Sequence, residues 1–193
     1  KWLLVEFLQD RQWITQCGLV DIKGGKEVVN LTQSGYGSYG PGWAMDGKMM
    51  VYVSDRDGMK NHGSWGGEMD VYAMFFTKEA FDQYKLDEEE YELTKEDDEE
   101  EKEEKMKEKK AKKKTVDPIK IELEDIDERK VRLTVNSTHL SYAVLANDGS
   151  KLFYMSRYEK GSDLWQTDLR TKETKKLLKM GAQNVGEVIM DKK

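Results

Sequence analysis

At 193 residues the chain has room for one domain or a large piece of one. It is 37% hydrophobic and 36% charged with a net charge of −6, yet residues 87–114 alone contribute −5 of it. The acidic balance therefore belongs to one segment and says little about the partners of the rest. No apolar run reaches the roughly 18–20 residues that cross a bilayer, and the single cysteine, Cys17, excludes an internal disulfide.

The chain starts at Lys1 without an initiator Met, directly in the apolar run WLLVEFL, and stops at VIMDKK. It reads as a fragment of a longer protein. Short segments rich in aromatic or β-branched residues and bounded by Gly, Asp and Ser follow: CGLVDI (17–22), KMMVYVS (48–54), DVYAMFF (70–76), KLFYMS (151–156) and DLWQTD (163–168). SGYGSYGPG (34–42) lacks the G-K-[ST] of a phosphate loop and reads as a crossover between units. VSDRDG (53–58) lacks the position-1 and position-12 ligands of a calcium loop, so Asp55 and Asp57 read as turn residues, with Gly58 supplying a positive φ. The next loop, NHGSWGG (61–67), sets His62 and Trp65 on a glycine frame and reads as a contact surface for peptide or a neighbouring domain.

The charged run pairs Asp98–Lys102, Glu101–Lys105, Glu103–Lys107 and Glu108–Lys112 at i,i+4, acid before base. A solvent-exposed helix over about 88–113 is predicted, with no apolar stripe to dock it, or else a disordered tether. Adjacent acids cancel the field of its lysines and no aromatic residues interleave, so nucleic acid is not an expected partner.

These pieces recur in order. NLT ends at Thr32 and RLT at Thr134, each 14 residues before an Asp-Gly pair, Asp46-Gly47 and Asp148-Gly149. Each pair is followed by an apolar strand, a polar turn, a second strand opening on Asp70-Val-Tyr or Asp163-Leu-Trp, and a basic-apolar strand. From Leu133 to Leu177 is 44 residues. Four short strands in about 40–50 residues mark a β-propeller blade. The expected fold class is all-β: a partial β-propeller of about three four-stranded blades, with a charged helical or disordered insertion. The expected division is a partial blade at 1–34, a blade at 35–76 and 119–137, an insertion at 77–118, a blade at 138–181 and the start of another at 182–193. Three blades cannot close a ring, so open end faces are expected.

DGKMMVYVSDRDG with DVYAM resembles the TolB-like propeller repeat. Three features together resemble the N-terminal propeller region of tricorn-type serine peptidases: the stretch from Gly18 to Gly58, DVYAMFFTKEAF running into the charged insertion, and PIKIELEDIDERKVRLT (118–134). The last is similar to a family strand pair, with Glu122 where Asp is common. The resemblance implies a parent peptidase whose propellers gate or channel peptides to downstream PDZ-like and catalytic domains, in large homo-oligomers described as cytoplasmic. A periplasmic parent is the alternative compartment. The alternative function is a TolB-like propeller acting as a protein-binding scaffold. No catalytic residue is placed in this chain. His62, His139 and Cys17 share no ligand spacing, so neither metal nor cofactor is expected.

Overall fold

A computed structural model describes the chain apart from residues 10–11, 25–26, 63–66, 95–117, 187 and 192–193. Among the described residues the strands form three antiparallel sheets whose spatial order follows chain order. The first holds β1 (Trp2–Leu8), β2 (Thr15–Asp21) and β3 (Val29–Asn30). The second holds β4 (Ser38–Ala44), β5 (Met49–Ser54), β6 (Asp70–Phe75) and β7 (Lys130–Arg132). The third holds β8 (His139–Leu145), β9 (Lys151–Glu159), β10 (Gly161–Asp168) and β11 (Thr174–Ala182). The all-β expectation holds, and two sheets have the four-stranded meander of a blade.

β6 is buried along its whole length, and strand alternation explains how. Val71, Ala73 and Phe75 point toward the third sheet, among Leu133, Leu152, Tyr154 and Leu169. Tyr72 and Met74, with Phe76, point toward the first, among Cys17, Leu19, Leu31, Met50 and Tyr52. A sheet covered on both faces needs a near-continuous apolar strand, which is why DVYAMFF does not alternate. The outer sheets are covered on one side only. Trp2 and Leu4 pack inward while Leu3 is exposed, and Leu177, Leu178 and Met180 are exposed on β11.

One polar residue at the start of the third blade strand ties each sheet together. Asp70 is fully buried and accepts from Arg132 Nε (2.9 Å), Thr134 Oγ1 (2.6 Å) and Ser137 Oγ (2.7 Å). Asp163 accepts from the backbone N–H of Met180 (2.8 Å) and Gly181 (2.9 Å) and pairs with Lys176 at 2.7 Å. In the first sheet Gln16 takes this place: its Oε1 accepts from Thr32 Oγ1 (3.0 Å) and Ser34 N (2.8 Å). The match extends to the backbone, because Cys17 N donates to Thr32 Oγ1 and Val71 N to Thr134 Oγ1. A neutral amide thus does in the first sheet what a carboxylate does in the other two.

The bond from Lys176 and those from the Gly181 and Met180 amides hold the Asp163 carboxyl down to about 2, from an ordinary 3.8. A carboxyl depressed on folding stabilises fully above its unfolded value and ceases to do so as pH falls through the folded one. The amide shifts of Met180 and Gly181 are therefore expected to titrate with a midpoint near 2. A midpoint near 3.8 would show that the clip contributes nothing.

The insertion does not begin as a tether. Thr77 caps α1 (Lys78–Lys85) by accepting from Ala80 N at 3.2 Å. Phe81 and Tyr84 pack on Phe75, with ring centroids 5.6 and 5.0 Å apart. Residues 88–94 are also helical, and Tyr91 lies under the Arg170 guanidinium at 3.9 Å. Arg170 donates to the Leu86 carbonyl, and Lys172 donates to Tyr84 Oη at 2.9 Å. The expected undocked stretch is thus docked across the second and third sheets at its start. The rest of the predicted helix, with all four i,i+4 pairs, lies outside the described residues.

The returning chain forms one strand of the expected pair. Residues 119–123 carry no strand, a 3-10 turn spans Ile126–Arg129, and only Lys130–Arg132 pairs with β6. What holds the stretch is Arg129, 7% exposed. It donates to the carbonyls of Phe75 (3.2 Å), Glu124 (2.9 Å), Asp125 (3.4 Å) and Glu122. The Glu122 N–H returns to the Phe76 carbonyl at 2.8 Å.

Two glycine-rich turns also differ from expectation. The second half of SGYGSYGPG is strand β4, and its register shifts between Tyr39 and Gly42, with Gly40 at φ 60°. Glycine inside the strand half marks a bulge, while residues 34–37 lie in the connection from the first sheet to the second, as expected. VSDRDG opens a loop over 55–69, not a tight hairpin. Gly58 has no positive φ; it is needed because a Cβ would collide with the Glu68 carbonyl. Its counterpart SRYEKG is a tight turn, where Gly161 does adopt φ 77°.

Candidate binding face

Strand register puts one set of loops at one end of the molecule. Leu8 faces Thr15, Ser38 faces Ser54, Ser54 faces Asp70, His139 faces Arg157 and Glu159 faces Gly161. The loops 9–14, 31–37, 55–69 and 133–138 and the turn at 160 therefore share that end, and the Met69–Thr138 bridge joins the second and third sheets there. The Asp-Gly turns and the described start of the insertion, residues 77–94, lie at the opposite end. Loops on a rigid scaffold are where binding residues concentrate.

The loop end carries exposed aromatic residues: Trp13, at 98% exposure, Tyr36 and Tyr158. Tyr36 is flanked by Arg56 at 5.9 Å and Lys60 at 5.4 Å from its ring centroid. Asp55 fixes this corner, accepting from Gly37 N at 2.9 Å and pairing with Lys60 at 2.7 Å. Asp57 accepts from the Tyr72 hydroxyl. Both aspartates of VSDRDG therefore hold the loop in place and face no reacting group.

Below this corner, between the first and second sheets, lies a cavity of about 220 Å³ lined by hydroxyl and charged groups. Arg56 and Lys130 line it with Asp127, Ser38, Ser54 and Tyr52. Burial pushes the Lys130 ammonium below its ordinary value; Asp127 opposes this and Arg56 adds to it. No carboxylate lies within ion-pair distance of either cation among the described residues. Burial keeps Tyr52 a neutral donor, with its pKa raised.

His62 is exposed on the 55–69 loop at this end, and Trp65 lies outside the described residues. Arg56, Lys130, Tyr52 and Trp13 escaped the sequence reading. Arg56 was absorbed into a turn and Lys130 into a basic-apolar strand. The available signal was Lys130-Val131-Arg132, where alternation sends Val131 to the third sheet and the two cations to the other face. Cys17 is fully buried, with its thiol pushed up to about 12 by burial and secondarily by Glu6, so it is a core residue and no nucleophile. Among the described residues neither His62 nor His139 hydrogen-bonds a serine or a carboxylate, no His/Cys/Asp/Glu group could hold a metal, and no helix is long and apolar enough to cross a membrane.

No family model and no curated protein matches the chain. Among solved structures it is similar to the crystal structure of the tricorn protease, with a TM-score of 0.56, 12% identity, and 92% of this chain aligned to 17% of that one. The crystal structure of TolB from Acinetobacter baumannii aligns with a TM-score of 0.45 and 12% identity, over 84% of this chain and 26% of that one. The chain thus spans about a sixth of the first neighbour's length and a quarter of the second's. At such identity the likeness extends to fold alone, and the fold it shows, together with the three meandering sheets, is a tricorn-like β-propeller fold.

Proposed function

We propose that this chain is a non-catalytic propeller segment of a tricorn-like serine peptidase, which presents its loop end to extended peptides and passes them toward a catalytic domain. The observation that carries the reading is the convergence of Trp13, Tyr36, Tyr158 and His62 on the loop end of a propeller-type scaffold. Exposed aromatic side chains of this kind supply large contact area at low entropic cost. The downstream PDZ-like and catalytic domains, the homo-oligomer and the cytoplasmic setting belong to the same proposal.

Fluorescence anisotropy of the 193-residue chain with labelled, unstructured peptides tests it. Saturable binding with a dissociation constant on the order of micromolar is expected, without peptide cleavage. Trp13→Ala should weaken it about ten-fold, the effect of removing one anchoring aromatic residue. Absence of binding at millimolar peptide, or cleavage by the purified chain, would sink the reading.

A further inference from the structure

We propose that the cavity between the first and second sheets is a binding site for a small free carboxylate, held by Arg56 and Lys130 as charge partners and by the hydroxyls of Ser38 and Tyr52. This goes beyond the peptide reading and does not depend on it, because the site lies beneath the loop corner and its volume of about 220 Å³ suits a small molecule of roughly ten heavy atoms or fewer, not an extended peptide.

Some of the donors around the cavity are already used. Thr32 is committed to Gln16, and Tyr72 to Asp57. The Ser34 and Ser54 hydroxyl oxygens accept from the Tyr36 and Arg56 amides and keep their own O–H groups as further donors. Ser38 and Tyr52 are more than nine-tenths buried, and neither hydroxyl has a protein partner. Arg56 meets only the Tyr36 ring, and Lys130 has Asp127 nearby but no ion pair. Arg56, Lys130 and the Ser38 and Tyr52 hydroxyls thus line one small space in which the one carboxylate, Asp127, forms an ion pair with neither cation. The two cations repel each other, and the Ser38 and Tyr52 hydroxyls have no acceptor beyond solvent. An oxyanion relieves both.

The charge count selects the kind of oxyanion. Two cations and one acid, Asp127, leave a single positive charge at the cavity. That matches one carboxylate, whose two oxygens accept about four hydrogen bonds. A phosphate dianion would leave negative charge unmatched beside Asp127.

The test is an amide NMR titration of the 193-residue chain with sodium acetate. Sodium chloride at matched ionic strength and sodium phosphate are run in parallel. Saturable shifts at residues 38, 52, 54, 56 and 130 are expected, with a dissociation constant on the order of 1 mM. Lys130→Met should weaken acetate binding about ten-fold, the loss of one charge-assisted contact. Should that variant fail to fold, Arg56→Gln, at an exposed position, should weaken it by a comparable factor. Equal shifts with chloride would mean screening only and overturn the proposal. Phosphate binding more tightly than acetate would overturn the carboxylate assignment, and full affinity in Arg56→Gln would overturn the charge pairing.

Discussion

Replacing Asp70 with alanine is expected to lower the unfolding free energy by about 2–4 kcal/mol, because a fully buried carboxylate is lost while the Arg132 left behind, 33% exposed, keeps part of its hydration. Asp70 has no solvent exposure, and its loss abandons Arg132, Thr134 and Ser137 together. These residues run from β7 into the loop that leads to the third sheet, so the clip fixes that connection as well as the β6–β7 pair. Asp70→Asn keeps the shape and loses the charge; a smaller loss of about 1–3 kcal/mol is expected. Urea unfolding monitored by tryptophan fluorescence measures both, with a lower midpoint and an unchanged slope. A loss under about 1 kcal/mol in the alanine variant would mean that the clip is not a main support of the sheet.

The second large effect is expected at Arg129. Arg129→Ala removes a buried guanidinium that four backbone carbonyls share, and should cost about 2–4 kcal/mol. Lysine should not rescue it, because one ammonium cannot reproduce the fork that spans Phe75, Glu122 and Glu124. Hydrogen exchange distinguishes this from general weakening. Protection at Glu122 and Glu128 should fall before that of the β6 core, since both amides belong to the stretch that Arg129 organises, Glu122 bonding the Phe76 carbonyl and Glu128 that of Asp125. Full stability in Arg129→Lys would contradict this role.

The repeat was legible because its carriers obey local rules. Asp-Gly turns and short aromatic strands follow from backbone preferences that a linear reading can see. The β6 segment DVYAMFF was recognisable as a strand, and its burial on both faces is what a blade between two others requires. The first repeat was harder, because Gln16 performs with an amide what Asp70 and Asp163 perform with a carboxylate. Helix α1 lies just before the charged run and is itself half charged in sequence. Only Ala80, Phe81 and Tyr84 turn toward the core, and three residues make a faint stripe.

The binding face was less legible than the fold, for a physical reason. Its residues come from separate stretches of chain that only strand register brings to one end. Arg56 and Lys130 are 74 positions apart, yet both line one cavity. The loop NHGSWGG was found because its composition is unusual, and His62 does stand at the loop end. Asp55 and Asp57 attracted attention as acids, and each proves to be held by a neighbouring donor.

Amide NMR mapping of the 193-residue chain with an unstructured peptide tests the central claim, that the loop end is the binding surface. Shifts are expected at residues 12–14, 34–38, 56–62 and 158–160. Residues 46–48 and 148–150 at the opposite end should stay unchanged. Shifts confined to the Asp-Gly turns and the insertion, or none at saturating peptide, would contradict it.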